Sequence, residues 1–286
     1  MRISTEIGSA AAHVGEEKAV ELVAKAGFDC WDFSLTKMAD WNGRELTLTG
    51  HPLCDYKEGL ALARRLRQIG LDNGITCNQS HAPFPADFPE LRALLPRAIE
   101  FTAEAGGKIC IIHPIGSFSP EQNGELYAEV LPTAKACGVK IAVENMWNWN
   151  RVEKHACFSA CSTPEHFCAT VDYLNDPDII ACLDIGHASM MGMGTDPITM
   201  IQALGPRLQA LHIHDTDCWN DNHQIPFSLS IPWEPIVRTL KNTGYSGEFT
   251  LEAVNYLRGK PADFVPQGLC DLAEAARRLA DMFESY

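Results

Sequence analysis

One pattern constrains this chain more than any other: a short β-branched or apolar run, a polar loop and an amphipathic helix recur eight times. The strand-like runs are RISTEIG, CWDFSL, ITCNQSHAP, KICIIHPIG, VKIAVENMW, IIACLDIGH, LQALHIHD and GEFTLEAV. Between them lie stretches such as EEKAVELVAKAG, YKEGLALARRLRQIG, LRALLPRAIEFTAEAG and PWEPIVRTLKNTG, whose apolar residues recur at spacings of three and four. Gly27, Gly70, Gly106, Gly138 and Gly244 read as left-handed helix stops. Strands that alternate with helices need a crossover to return, which makes their sheet parallel. Eight such units are the number that closes a (β/α)8 TIM barrel. An open doubly wound sheet would open on a Gly-rich first turn. Here that turn is GSAAAHVGEE, without a G-x-G-x-x-G pattern. The 286 residues show no linker-like break, so the expectation is one α/β barrel domain over 1–286.

Composition narrows the partners. Apolar residues make up 46% of the chain, enough for a large core. The net charge is −14, from 23 basic and 37 acidic residues. Nucleic-acid affinity comes largely from Lys and Arg on phosphates, so such a chain is poorly suited to DNA or to an anionic membrane surface. No apolar run approaches the roughly 18 residues of a membrane span, and the first twenty residues lack the basic-then-apolar order of a secretory leader. Of the eleven cysteines, Cys77, Cys110 and Cys182 fall inside apolar runs and read as small buried side chains. CFSAC at Cys157 to Cys161 has no matching second pair, which argues against a zinc ribbon. The expected setting is a reducing cytoplasm, and the expected partner a small molecule, with homo-oligomerisation open.

In a barrel of this kind the chemistry sits at the C-terminal ends of the strands. Strand 3 ends in His81 and strand 4 in His113. Strand 5 ends in Glu144, strand 6 in Asp184 with His187 three residues on, strand 7 in His212 with His214 and Asp215 beyond, and strand 8 in Glu252. Six successive strands thus deliver a His, Asp or Glu to one rim. Carboxylates crowded in a dry mouth drive their own pKa values upward, and a divalent ion held by Glu144, Asp184, His212 and Glu252 relieves that strain. Oxygen-rich ligation with one imidazole suits Mn2+, Mg2+ or Co2+, and Zn2+ is compatible. Trp147 and Trp149 after strand 5, Tyr56, and Trp219 are expected in rim loops, where they would present flat apolar faces. Trp31 is expected to pack in the core or at the rim.

The segments IAVENMW, CLDIGHASM, LHIHDTD and FTLEAV, in this order, resemble the xylose isomerase-like TIM barrel superfamily. That group includes sugar isomerases and epimerases, inosose dehydratase and endonuclease IV. The resemblance implies a single-metal site at Glu144, Asp184, His212 and Glu252, with His212, rather than His214, as the strand-7 ligand. It places His187 at the substrate or at a further metal; His81, His113, Trp147 and His223 are the other candidate substrate contacts, and Asp221 with His223 could hold an additional metal. By analogy with the epimerases, Glu144 and Glu252 act as the proton-transfer pair on a small sugar, ketose or cyclitol, through an enediolate. Without a Gly-rich phosphate cradle after strand 8, where Arg258 and Lys260 are the cations, an unphosphorylated substrate is favoured.

Three rivals stay open. An endonuclease IV-like phosphodiesterase would use three zinc ions on nine residues, and this chain offers His81, His113, Glu144, Asp184, His187, His212, Asp221, His223 and Glu252; its acidity argues against it. An inosose dehydratase-like lyase would share the enolisation and then expel a hydroxyl. A non-catalytic sugar-binding barrel would have no use for a glutamate pair.

Overall fold

The structure, a computed structural model, describes residues 1–41, 46–47 and 50–286. Eight parallel strands form the barrel: β1 (Ile3–Thr5), β2 (Cys30–Ser34), β3 (Thr76–His81), β4 (Ile109–Ile112), β5 (Lys140–Glu144), β6 (Ile179–Asp184), β7 (Leu208–His212) and β8 (Phe249–Leu251). Strands β2 to β7 pair in sequence order, and β1 pairs with β8. Parallel bridges Glu6–Asp32 and Ile213–Leu251 join the two sheets on either side, so the ring closes. The bonds that close it include Ile7 N–H to Asp32 O at 3.1 Å and Glu252 N–H to Ile213 O at 2.9 Å.

Each strand is followed by a helix of the outer layer: α1 (Glu16–Ala26), α2 (Tyr56–Asp72), α3 (Leu95–Ala105), α4 (Pro120–Cys137), α5 (Pro164–Asp172), α6 (Pro197–Leu204), α7 (Trp233–Asn242) and α8 (Val265–Glu284). Gly27, Gly106 and Gly138 end their helices in the left-handed conformation. Gly70 does not: α2 runs on to Asp72, and the left-handed residue is Gly74. Gly70 is needed for closeness instead. A Cβ there would lie 3.0 Å from Trp31 Nε1 and 3.1 Å from the Ile75 carbonyl. Trp31 is fully buried against Phe33 in the core. The stretch expected as one helix over 91–106 divides at 93–94 into Pro89–Arg92 and α3, whose first turn carries Pro96.

Side chains alternate across a strand, so residues two apart share a face. Ile111, Ala142, Ile180, Cys182 and Ala210 form a separate buried cluster. Two residues on from Ile111, Ala142, Cys182 and Ala210 stand His113, Glu144, Asp184 and His212. Ordinary strand periodicity therefore aims all four at the barrel axis, above an apolar plug. The described residues contain no helix long and apolar enough to cross a membrane. All eleven cysteines are unbridged, and Cys77, Cys110 and Cys182 are buried.

Candidate metal centre and active site

The strand ends meet. His81, Glu144, Asp184 and His212 are the last residues of β3, β5, β6 and β7, while His113 and Glu252 follow one residue after β4 and β8. Among the described residues, four overlapping groups bring ligand atoms within 4.8 Å of one another. One is Glu144, Asp184, His212 and Glu252, the set expected from the sequence. A second joins His81 and His113 to Glu144, and a third joins His81 to His212 and Glu252. The fourth is His187, His214, Asp221 and His223.

Glu144 is the hub. Its Oε1 lies 2.8 Å from His212 Nδ1 and its Oε2 3.1 Å from His113 Nε2, with His81 Nε2 at 3.6 Å. Glu252 approaches from the other side, its Oε2 3.5 Å from the same His212 nitrogen and its Oε1 4.0 Å from His81. Asp184 bridges to the fourth group through His214 Nε2 at 3.1 Å. Asp221 completes that group, 3.5 Å from His187 Nε2 and 3.1 Å from His223 Nε2. Glu144, Asp184, His212 and His214 are at most 1% exposed.

Local structure explains how they are held. The Asp184 carboxylate caps the short helix Ile185–Ser189 by accepting from His187 N–H at 2.7 Å. Asn145 locks the same strand end, accepting from Asp184 N–H at 2.7 Å and donating to Asp184 O at 3.0 Å. Gly186 has no room for a side chain: a Cβ there would stand 2.0 Å from the His214 ring. That contact gives the D-I-G-H segment its glycine. The long loop after β7 hangs on Asp215, fully buried, whose carboxylate accepts from the backbone N–H groups of Thr216, Leu229 and Ile231. Asp217 organises a turn by accepting from Trp219 and Asn220 N–H. Of the three aspartates in that loop, only Asp221 faces the cluster.

Charge in the cluster is balanced by imidazoles. Burial on its own pushes the Glu144 carboxyl up, but His212 and His113 outweigh it and hold it well below the ordinary range. Asp184 likewise resists burial and sits at about 2, because His187 and His214 face it. Burial opposes charge on His187 and His212, yet Asp184 and Asp221 raise the first, and Glu144 and Glu252 the second, well above normal. Burial also opposes charge on His223, but Asp221 and Glu252 bring it to about 9. Five buried atoms nevertheless have no hydrogen-bond partner: Glu144 Oε2, Asp184 Oδ2, His212 Nε2, His214 Nε2 and Asp221 Oδ1. Orphaned buried acceptors are costly. A mixed carboxylate–imidazole set with unfilled acceptors fits a divalent cation, which would displace the imidazole protons.

Trp147 reaches this site, its Nε1 donating to Asp221 Oδ2 at 3.3 Å. Trp149 and Trp219 are exposed. Tyr56 is not a mouth residue: it begins α2 and stacks on Phe101 of α3, with ring centroids 6.2 Å apart. Arg258 and Lys260 are bound within their own segment, on Asn255 and the Phe264 ring. His214, passed over as the strand-7 ligand in favour of His212, is fully buried within the fourth group. Two further acids escaped the strand-end reading because it began at strand 3. Glu6, just past β1, and Asp32, in β2, both line the mouth cavity of about 280 Å³ with His81, His223 and Glu252. For Asp32 the signal was a carboxylate in the largely apolar run CWDFSL; Glu6, in the more polar run RISTEIG, offered none of that kind.

A closed parallel barrel with an acid–imidazole cluster at the C-terminal ends of its strands defines the class: a TIM barrel with a metal-type site at its mouth. Within that class the chain belongs to the xylose isomerase-like TIM barrel family, whose model matches residues 20–286. It is 27% identical over 195 residues to an uncharacterized protein of Methanocaldococcus jannaschii, a match covering 61% of this chain and 64%, just under two thirds, of that relative. It is 27% identical over 255 residues to D-psicose 3-epimerase of Ruminiclostridium cellulolyticum, covering 82% of this chain and 76% of the enzyme. The crystal structure of a D-tagatose 3-epimerase-like protein superposes over 100% of this chain and 99% of its own, with a TM-score of 0.73 at 20% identity.

Proposed function

We propose that the protein, one barrel domain over 1–286, is a divalent-metal-dependent sugar isomerase or epimerase acting on a small unphosphorylated sugar, ketose or cyclitol. One observation carries the reading: Glu144 and Glu252, from β5 and the end of β8, converge on His212 Nδ1 at 2.8 and 3.5 Å. Two carboxylates reaching one point from different sides of a ring are what proton removal and return at a sugar carbon require. The similarity to D-psicose 3-epimerase over 82% of the chain supports the same reaction class.

In this reading Glu144, Asp184, His212 and Glu252 hold the cation, Mn2+, Mg2+ or Co2+, with Zn2+ compatible. When bound, the cation supplies an electrophile that acidifies the C–H beside a carbonyl. Glu144 and Glu252 exchange the proton. His81 and His113, in contact at 2.9 Å between their Nε2 atoms, and His187 and His223 orient substrate hydroxyls, with Trp147 packing on the sugar's apolar face. Return of the proton to the same carbon from the opposite side gives epimerisation; return to its neighbour gives aldose–ketose exchange.

A second reading is favoured by the fourth group. His187, His214, Asp221 and His223 offer another cation site beside the first, and His81, His113 and Glu144 a third, the layout a trinuclear phosphodiesterase would use. Its net charge of −14 disfavours nucleic acid as the substrate. Incubation with ketoses, aldoses and inososes in D2O with Mn2+ separates the readings. Deuterium at a carbon beside the carbonyl, lost in Glu144→Gln and Glu252→Gln, is expected. No exchange with any member of the panel, together with three zinc ions per chain and phosphodiester cleavage, would overturn the epimerase reading.

A further inference from the structure

We propose that Asp32 is a positioning residue for this centre: with Gln79 it keeps the proton of His212 on Nε2 and so presents the Nδ1 lone pair to the cation. The inference rests on the metal-dependent reading above. His212 is fully buried, and its two nitrogens face opposite ways. Nδ1 looks up into the cluster, towards Glu144 and Glu252. Nε2 looks the other way, to Asp32 Oδ2 at 3.5 Å.

Asp32 is itself 1% exposed, in the middle of β2, where a carboxylate is costly unless something uses it. Its Oδ2 accepts from Gln79 Nε2 at 2.9 Å, and Gln79, 2% exposed, stands opposite it in the β2–β3 register. Asp32 Oδ1 and His212 Nε2 are both buried with no hydrogen-bond partner. The unpartnered His212 Nε2 thus faces the Asp32 oxygen that Gln79 holds, at 3.5 Å, just beyond hydrogen-bond length.

The logic is one of tautomers. An imidazole can give a lone pair to a cation from one nitrogen only while the other carries the hydrogen. With the hydrogen on Nδ1, His212 would donate to Glu144 and offer the cation nothing. A carboxylate opposite Nε2 favours the hydrogen there, raises the basicity of Nδ1 and fixes the ring plane. Gln79 holds Asp32 by one oxygen, so the carboxylate cannot swing away.

The test is Mn2+ binding to the full-length chain, by calorimetry, for wild type, Asp32→Asn and Gln79→Met, with His212→Ala as reference. Asp32→Asn keeps the shape and removes the charge, and affinity is expected to fall about 10- to 100-fold; Gln79→Met should give a smaller loss in the same direction. In Zn2+-loaded wild type the His212 Nε2–H proton should exchange slowly and resonate at low field, moving upfield in Asp32→Asn. A residue that only supports the fold would not move that resonance. If Asp32→Asn fails to fold, Gln79→Met carries the test. Wild-type binding with equal affinity in the folded variants would refute the positioning role alone. Absence of binding to wild type would sink the metal-dependent reading, and this inference with it.

Discussion

Glu6 offers a stability experiment that needs no substrate. Its side chain is 7% exposed, and it accepts from Ser9 N–H at 3.0 Å and from the Ser9 hydroxyl. Burial pushes its carboxyl up first; the two Ser9 bonds oppose this, and the neighbouring charges of Glu252 and Asp32 add to it. The result is a rise from 4.5 to about 7. In the unfolded chain the proton leaves near 4.5; in the folded chain it stays until about 7. Between those values the native state binds more protons than the unfolded state, so stability falls as pH rises. At about 1.4 kcal/mol per pH unit across that window, the loss is about 3 kcal/mol. Glu6→Gln keeps an acceptor for Ser9 N–H and removes the titration. Urea unfolding of wild type and Glu6→Gln in EDTA, from about pH 4 to 8, should show the variant gaining about 3 kcal/mol on wild type over that range. Groups common to both cancel in the difference. A difference that stays flat with pH would refute the argument that Glu6 is a desolvated, repelled carboxyl.

If Glu144 and Glu252 are the proton-transfer pair proposed above, Glu144→Gln and Glu252→Gln should each lower turnover about 10²- to 10⁴-fold while near-ultraviolet circular dichroism stays native, because each change would remove one such group and leave its shape. Gly186→Ala places a methyl against the His214 ring, at the 2.0 Å separation noted above; overpacking of this kind costs about 1–3 kcal/mol, read in urea midpoints, and should displace His214 and weaken binding at the fourth group. Mn2+ at about 100 times its dissociation constant should stabilise the chain by about 2.7 kcal/mol over the EDTA-treated protein, and no change in the thermal midpoint would count against a cation site. Asp184 sits at about 2 against an ordinary 3.8, so in the metal-free protein its stabilising contribution is complete above 3.8 and is lost as pH falls towards 2; Asp184→Asn should flatten that acid limb of the unfolding curve.

The sequence by itself determined the barrel and most of its rim. Hydrophobic periodicity is a local property, so the eight strand–helix units can be read without knowing what they touch. Strand alternation is equally local, and it carries His113, Glu144, Asp184 and His212 to the axis once the strands are parallel. Glycine was legible as a type but not as a cause: Gly27 ends a helix, whereas Gly70 makes room for Trp31 within one. Only the tertiary structure decided which of these side chains come within reach of one another. In a loop that reads as uniformly acidic, Asp215 turns inward to hold backbone N–H groups, while Asp221 joins His187 and His223. The same holds for His212, whose two nitrogens meet Glu144 on one side and Asp32 on the other. Those pairings depend on ring orientation and on contacts between residues distant in the chain, 68 positions for His212 and Glu144, and no local pattern encodes either.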